Sequence, residues 1–130
     1  MNEILEFLKN SKTYYLATID GDQPRVRPFG TIEMFENKLY IQTGKIKNVA
    51  KQINTNPKIE ICAMHQNRWI RVSAEAVLDD RIEPKIYMLD HYPELKSMYS
   101  AYDDNTAVYY LKNGTATIYS FTEQPKIIKF

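Results

Sequence analysis

Two arginines lie two residues apart in the segment YLATIDGDQPRVRPFG, residues 15–30. Alternation along a strand places Arg25 and Arg27 on the same face, where their guanidinium groups repel each other. Water or an anion must offset that repulsion. Three nearby carboxylates could pair with the arginines: Asp20, Asp22 and Glu33. A bound phosphate is the other interpretation.

A second anion-binding element is predicted where a strand ends and a helix begins, in QTGKIKN, residues 42–48. Helix N-termini present free N–H groups and a partial positive charge, so they bind phosphate. Thr43 adds a hydroxyl, and Lys45 and Lys47 add cations, although surface lysines are often merely solvated. If this strand neighbours the arginine strand in a meander, up to four cations gather around one phosphate.

Other residues that could take part in binding or catalysis give weaker signals. Trp69 and Arg71 alternate in RWIRV, where Trp69 either packs in a core or forms a wall for a planar ligand. Cys62 is expected to be an inert core residue. His65 and His91 have no partners at metal-ligand spacing, so no metal is expected, and no nucleophile stands beside a base. Redox chemistry would therefore need a bound cofactor.

Composition narrows the classes of protein. A length of 130 residues suits one domain, 1–130, and 17 basic against 16 acidic residues argues against nucleic-acid binding. The single cysteine indicates a reducing compartment. The N-terminus does not resemble a signal peptide and no apolar run is long enough to span a membrane, so we expect a cytoplasmic protein with no membrane partner.

Periodicity and turn residues predict a mainly β (α+β) fold. The predicted helices cover residues 2–10, a segment carrying Ile46, Val49, Ala50 and Ile53 that Thr43 or Gly44 caps, a segment around Pro84, and the run from Pro93 onward. The predicted strands cover 13–19, an interrupted 24–34, 38–43, 58–64 and 68–78, followed by a hairpin that turns at Asn113-Gly114. Six or seven antiparallel strands with peripheral helices favour a barrel, because closure removes exposed sheet edges.

These segments, in this order, resemble the pyridoxamine 5′-phosphate oxidase-like family. The resemblance is carried by YLATIDGDQPRVRPFG, KLYIQTGKIKNVAKQINTNPKIEIC, RWIRVSAEAV and YYLKNGTATIYSF, which together cover nearly the whole chain. It implies an FMN-binding split β-barrel whose flavin site lies between the two subunits of a homodimer.

The resemblance also implies roles for individual residues. Arg27, Pro28 and Phe29 would run along the flavin, with Arg27 at the phosphate. Gln42 and Thr43 would face the ribityl-phosphate, and Lys47 would be the phosphate lysine. Trp69 and Arg71 would approach from the partner subunit. Arg25 and Lys45 are weaker cofactor-binding candidates, and no catalytic residue is implied.

The implied function is an FMN-dependent oxidoreductase or flavin reductase that acts on an unknown small molecule, with NAD(P)H as a candidate reductant. The family's true oxidases carry a C-terminal Arg-x-His segment that this sequence lacks, so we do not expect vitamin B6 oxidation. Two alternatives stay open: a non-enzymatic flavin- or haem-binding carrier of the same fold and, less well supported, a small nucleic-acid-binding barrel.

Overall fold

The computed structural model describes all 130 residues, and its backbone is mainly antiparallel sheet. The helices are α1 (Asn2–Ser11), α2 (Asn48–Thr55), α3 (Ile82–His91) and a 3₁₀ helix (Pro93–Ser97). The strands are β1 (Tyr14–Asp20), β2 (Gln23–Phe29), β3 (Glu33–Phe35), β4 (Lys38–Gly44), β5 (Lys58–His65), β6 (Arg68–Leu78), β7 (Thr106–Ser120) and β8 (Lys126–Lys129). The predicted fold class, a mainly β split barrel, is confirmed, with eight strands instead of six or seven.

The sheet follows the order β2-β1-β5-β6-β7-β4-β3, and β8 pairs with the outer part of β7. The meander that would place β2 beside β4 does not form, because β2 and β4 do not pair and β2 ends one side of the path. The single predicted strand 24–34 is interrupted, and residues 30–32 cross from β2 to β3. Thr31 ties this crossing to β4: its Oγ1 bonds the N and O of Gln42 at 3.1 and 3.3 Å. The hydrogen-bonded sheet stays open, while its two ends are brought together by side chains.

One face of the sheet forms the main core beneath α1 and α2. Alternation explains the pattern along β5, where Ile59, Ile61 and Ala63 are buried. Cys62 lies between them and points to the opposite face, so its side chain is exposed. The expectation of a core cysteine is therefore wrong, because strand periodicity overrides the usual preference of cysteine for burial.

Asn113-Gly114 forms a bulge and not the predicted hairpin turn. β7 continues through these residues, and the register on β6 shifts between Ser73 and Glu75, which accommodates one extra residue in β7. Asn113 takes a positive φ of 54°, and its amide donates to Glu75 at 2.8 Å. Gly114 lies so close to the Phe130 ring that an added Cβ would be 2.0 Å from it. An Asn-Gly pair is compatible with both a turn and a bulge. A bulge forms here because β7 pairs with β6 on both sides of these two residues.

Two predicted helices are shorter than expected. α2 begins at Asn48 with Lys47 as its N-cap, so Ile46 is 75% exposed and neither Thr43 nor Gly44 caps the helix. The helical run from Pro93 ends at Ser97. In both places the helical spacing of apolar residues extends beyond the helix, because the outermost apolar side chains do not reach the core.

Candidate functional site

Two cavities meet between β2, the end of β4 and α2. The larger, here called the cationic cavity, has a volume of about 700 Å³ and lies beside the β1–β2 turn and α2. The smaller, here called the amide cavity, has a volume of about 260 Å³ and lies between the β2–β3 crossing, β4 and the 3₁₀ helix. Arg27, Lys47 and Val49 line both cavities. The two cavities are therefore neighbours that share two cations, and we treat them together as one candidate binding site.

Arg27 is fixed in place by neutral partners. Its Nη1 donates to Thr18 Oγ1 at 2.7 Å and to the Leu16 carbonyl at 3.2 Å, and its Nη2 donates to Gln52 Oε1 at 2.7 Å. No carboxylate pairs with it. Burial, and then the neighbouring Arg25, lowers the pKa of Arg27 from its usual value. The site therefore holds a pre-positioned guanidinium whose charge no acidic side chain of the chain neutralises.

The other cations of the cationic cavity differ in their partners. Arg25 donates from Nε to Asp20 at 3.1 Å, so the expected pairing with a nearby carboxylate holds for this arginine. Lys47 and Lys51 line the same cavity, and neither makes an ion pair. Four basic side chains therefore face one acidic side chain in this cavity. Such an excess of positive charge attracts an anion.

Lys45 does not join this group. Its Nζ lies 3.1 Å from Asp80 and 3.3 Å from Asp104, and it lines neither cavity. Asp80 also binds Lys85 at 3.0 Å. The hydrogen bond that Lys45 donates to Asp80 raises the pKa of Lys45. The sequence groups Lys45 with Lys47, but the chain turns between them and directs the two ammonium groups to different neighbourhoods.

The amide cavity takes its name from Gln42. It also contains the expected residues Pro28, Phe29 and Thr43, and Leu95, Met98 and Tyr99 form the opposite wall. Gln42 is 5% exposed, and both its Nε2 and its Oε1 lack a hydrogen-bond partner. A buried amide of this kind fits a ligand that offers a donor beside an acceptor.

Trp69 and Arg71 lie on the outer face of the sheet and line neither cavity of their own subunit. Trp69 stacks on Tyr119, with ring centres 5.3 Å apart and an interplanar angle of 11°. Arg71 Nη2 donates to the Tyr119 hydroxyl at 2.8 Å. Within one subunit the structure does not bring these two residues to Arg27 and Lys47.

Sequence reasoning missed two parts of the site. Along α2, the polar residues Asn48, Gln52 and Thr55 all face the cationic cavity, and their spacing of four and three residues was the available signal. The wall formed by Leu95, Met98 and Tyr99 gave no signal, because the same spacing is typical of a core-facing helix.

Other chemistries find less support in the structure. No group of three or more His, Cys, Asp or Glu side chains is placed to hold a metal ion. His65 makes a T-shaped ring contact with Phe7, and the ring of His91 lies tilted against that of Tyr87. Neither histidine lines the cationic or the amide cavity. None of the helices is both long and apolar enough to cross a bilayer.

Residues 1–119 match the family described as pyridoxamine 5′-phosphate oxidase. The chain belongs to this family. A NimC/NimA family protein from Clostridium acetobutylicum has 45% sequence identity and a TM-score of 0.97, over 100% of this chain and 92% of that chain. The resemblance drawn from the sequence is thereby confirmed. No curated protein matches the chain.

Solved structures with lower sequence identity share the fold. General Stress Protein 26 from Bacillus anthracis has 16% identity and a TM-score of 0.78, with 99% of this chain and 97% of that chain covered. A pyridoxamine 5′-phosphate oxidase-related, FMN-binding protein from Nostoc punctiforme has 15% identity and a TM-score of 0.65, with 99% and 95% covered. At these identities the likeness shows the split-barrel fold.

Proposed function

We propose that this protein binds FMN and acts as an oxidoreductase on a small molecule. One observation carries the proposal: two neighbouring cavities share the uncompensated cations Arg27 and Lys47, and one of the cavities also has an apolar wall and an unpaired buried amide. FMN has the matching polarity, because a phosphate ester that carries nearly two negative charges is joined to a flat ring with one polar edge. The Nostoc punctiforme protein of the same fold is described as FMN binding.

Different residues would bind different parts of the cofactor. Arg27 and Lys47 would hold the phosphate with charge-assisted hydrogen bonds, and Arg25 and Lys51 would add attraction at longer range. Pro28, Phe29 and Thr43 would line the rest of the cofactor. A bound flavin would supply the electron- and hydride-transfer chemistry, while the chain binds and orients it. Lys45 is held by two carboxylates, and we give it no role in binding.

We further propose that the active form is a homodimer. The outer face of the sheet exposes a continuous apolar row, because Pro28 lies opposite Tyr15 and Tyr15 lies opposite Cys62. Val26 and Met64, on the same face, are 67% and 65% exposed. An apolar patch of this extent is typical of an interaction surface. A second copy of the chain on this face would also give Trp69 and Arg71 a route to the partner's cofactor.

The cofactor proposal is tested by the absorption spectrum of the purified protein and by mass analysis of what it releases on denaturation. We expect a flavin spectrum and release of FMN, either directly or after incubation with FMN. A protein that stays colourless after incubation with micromolar FMN would contradict the proposal. Steady-state oxidation of NADH or NADPH separates an enzyme from a flavin carrier, which would bind FMN without turnover.

The dimer is tested by sedimentation of the protein and of Met64→Lys. The wild type should sediment as a dimer with an interface above roughly 1,000 Å², and a charge at Met64 should favour the monomer. Glu123→Lys, at an exposed residue beyond β7, is the matched control and should leave the dimer intact. A wild-type monomer that binds FMN tightly would exclude a shared site.

A further inference from the structure

The carboxamide of Gln42 is the only buried side-chain group in the molecule without a hydrogen-bond partner. Buried polar groups are paired in the great majority of native structures, and an unpaired one reduces stability. Every other part of Gln42 is satisfied, since Thr31 bonds its backbone N and O. The unpaired amide therefore requires an explanation of its own.

The strand determines where this amide points. Along β4, Leu39 and Ile41 belong to the main core, and alternation places Gln42 on the other face with Tyr40. On that side Gln42 lines the amide cavity, whose wall includes the apolar side chains of Phe29, Leu95 and Met98. A planar ligand in this cavity would find apolar groups to pack against and one amide to hydrogen-bond with.

We propose that Gln42 recognises the pyrimidine edge of the flavin ring. The ring presents an N3–H group between two carbonyls, which is the complement of an amide: Gln42 Oε1 accepts from N3–H, and Nε2 donates to a neighbouring carbonyl. This inference rests on the proposed function. It assigns Gln42 to the ring, whereas the family resemblance implies the ribityl-phosphate, because the cations lie at the junction with the other cavity.

The experiment uses FMN and its N3-methyl derivative, each titrated into the wild type and Gln42→Leu by fluorescence quenching. The wild type should bind N3-methyl-FMN about 10-fold more weakly than FMN, because the methyl group removes the donor that Oε1 accepts from. Gln42→Leu should bind the two ligands with affinities within about twofold of each other. Gln124→Leu, an exposed glutamine in the β7–β8 connection, is the matched control and should behave as the wild type.

A second readout separates ligand recognition from a structural role. Without flavin, Gln42→Leu should melt at a higher temperature than the wild type, because leucine removes a buried amide that no protein group satisfies. A lower melting temperature would show that Gln42 supports the fold and would overturn the inference. Equal affinity of the wild type for both ligands, or an equal loss in both proteins, would also overturn it.

These outcomes are distinct from failure of the proposed function. If FMN binds tightly but methylation at N3 has no effect, Gln42 does not recognise the ring and the flavin proposal stands. If FMN does not bind at all, both proposals fail together.

Discussion

Lys45 and Lys47 are two residues apart and occupy opposite electrostatic environments. Lys45 belongs to a compensated cluster, here called the Asp80 cluster, in which Asp80 and Asp104 neutralise Lys45 and Lys85. Lys47 belongs to the cationic cavity, where Arg27 and Lys51 also lack carboxylate partners. A protein of near-neutral composition therefore keeps one group of basic residues paired and another free. The free group is the one that has a cavity beside it.

Burial distinguishes the cations of the Asp80 cluster from those of the cationic cavity. In the Asp80 cluster, Lys85 is 6% exposed, and a buried ammonium needs a carboxylate because water cannot solvate it. In the cationic cavity, Lys47 and Lys51 are exposed to water, so the fold tolerates them without partners. Ligand binding should respond to changes in the second group, and stability should respond to changes in the first.

The largest effect is expected for Arg27→Ala. Loss of a positioned, charge-assisted bond to phosphate should weaken FMN binding by about 100-fold, as measured by fluorescence titration. The apoprotein should also lose about 1–2 kcal/mol of unfolding free energy, since Thr18 and Gln52 lose a shared partner. Arg25→Ala is the control: its arginine is already paired with Asp20, so the loss of FMN affinity should be at most about threefold. Equal losses in both variants would contradict the central role of Arg27.

Lys47→Ala isolates the electrostatic effect, because this side chain makes no bond within the protein. FMN binding should weaken by about 10-fold, riboflavin binding should stay the same, and the apoprotein should keep its stability. The measurement is a pair of titrations with FMN and riboflavin. If both ligands lose affinity equally, the phosphate is not at Lys47.

Asp80→Asn should destabilise the fold and leave FMN binding unchanged. The substitution removes the charge that stabilises the buried Lys85, at a cost of about 1–2 kcal/mol in chemical denaturation. Asp104 is almost fully exposed and contacts only Lys45 in this cluster, so Asp104→Asn should cost less than about 0.5 kcal/mol. Similar losses for both variants would show that the burial of Lys85 does not set the energy of the cluster.

The ion pairs of Asp80 also predict that the stability of the fold depends on pH. Hydrogen bonds from Lys85, and then from Lys45, lower the pKa of Asp80. A lowered carboxyl pKa contributes stability above the unfolded-state pKa of about 3.9, and that contribution disappears as pH falls through the lower folded-state value. The stability difference between the wild type and Asp80→Asn should therefore be full at pH 7 and shrink below about pH 4. A difference that does not depend on pH would contradict the ionic origin of the effect.

The smallest effect is expected for Lys45→Ala. Its partners Asp80 and Asp104 are both more than half exposed, so the stability cost should be below about 1 kcal/mol. FMN affinity should change by less than about twofold, because the ammonium group lies outside both cavities. A loss as large as that of Lys47→Ala would remove the distinction between the two groups of cations.

Local patterns along the chain are enough to predict the fold class and most of the helices and strands. Strand alternation, the Gly21 turn and the Glu36-Asn37 and Gln66-Asn67 turns locate the hairpins, because positive φ angles at these positions suit the residues found there. The pairs Arg25 and Arg27, and Lys45 and Lys47, could also be picked out from the sequence, because cations on a strand and at a helix N-terminus are typical of an anion site. Each of these features depends on residues that are close together in the sequence, so the residue pattern alone can reveal it.

Which residues come into contact, by contrast, depends on how distant parts of the chain pack together. The sequence could not separate Lys45 from Lys47, since Asp80 and Asp104 are far away along the chain and reach Lys45 only when the sheet folds. It left open whether β2 and β4 are neighbours in a meander. In the structure they do not pair, and the site forms because the two ends of an open sheet curve toward each other and Thr31 joins them. It could not show that Gln42 lacks a partner, because whether a buried amide is satisfied depends on every chain segment that packs around it. Contacts between residues far apart in the sequence leave little trace in any short stretch of it, and this candidate site is built from such contacts.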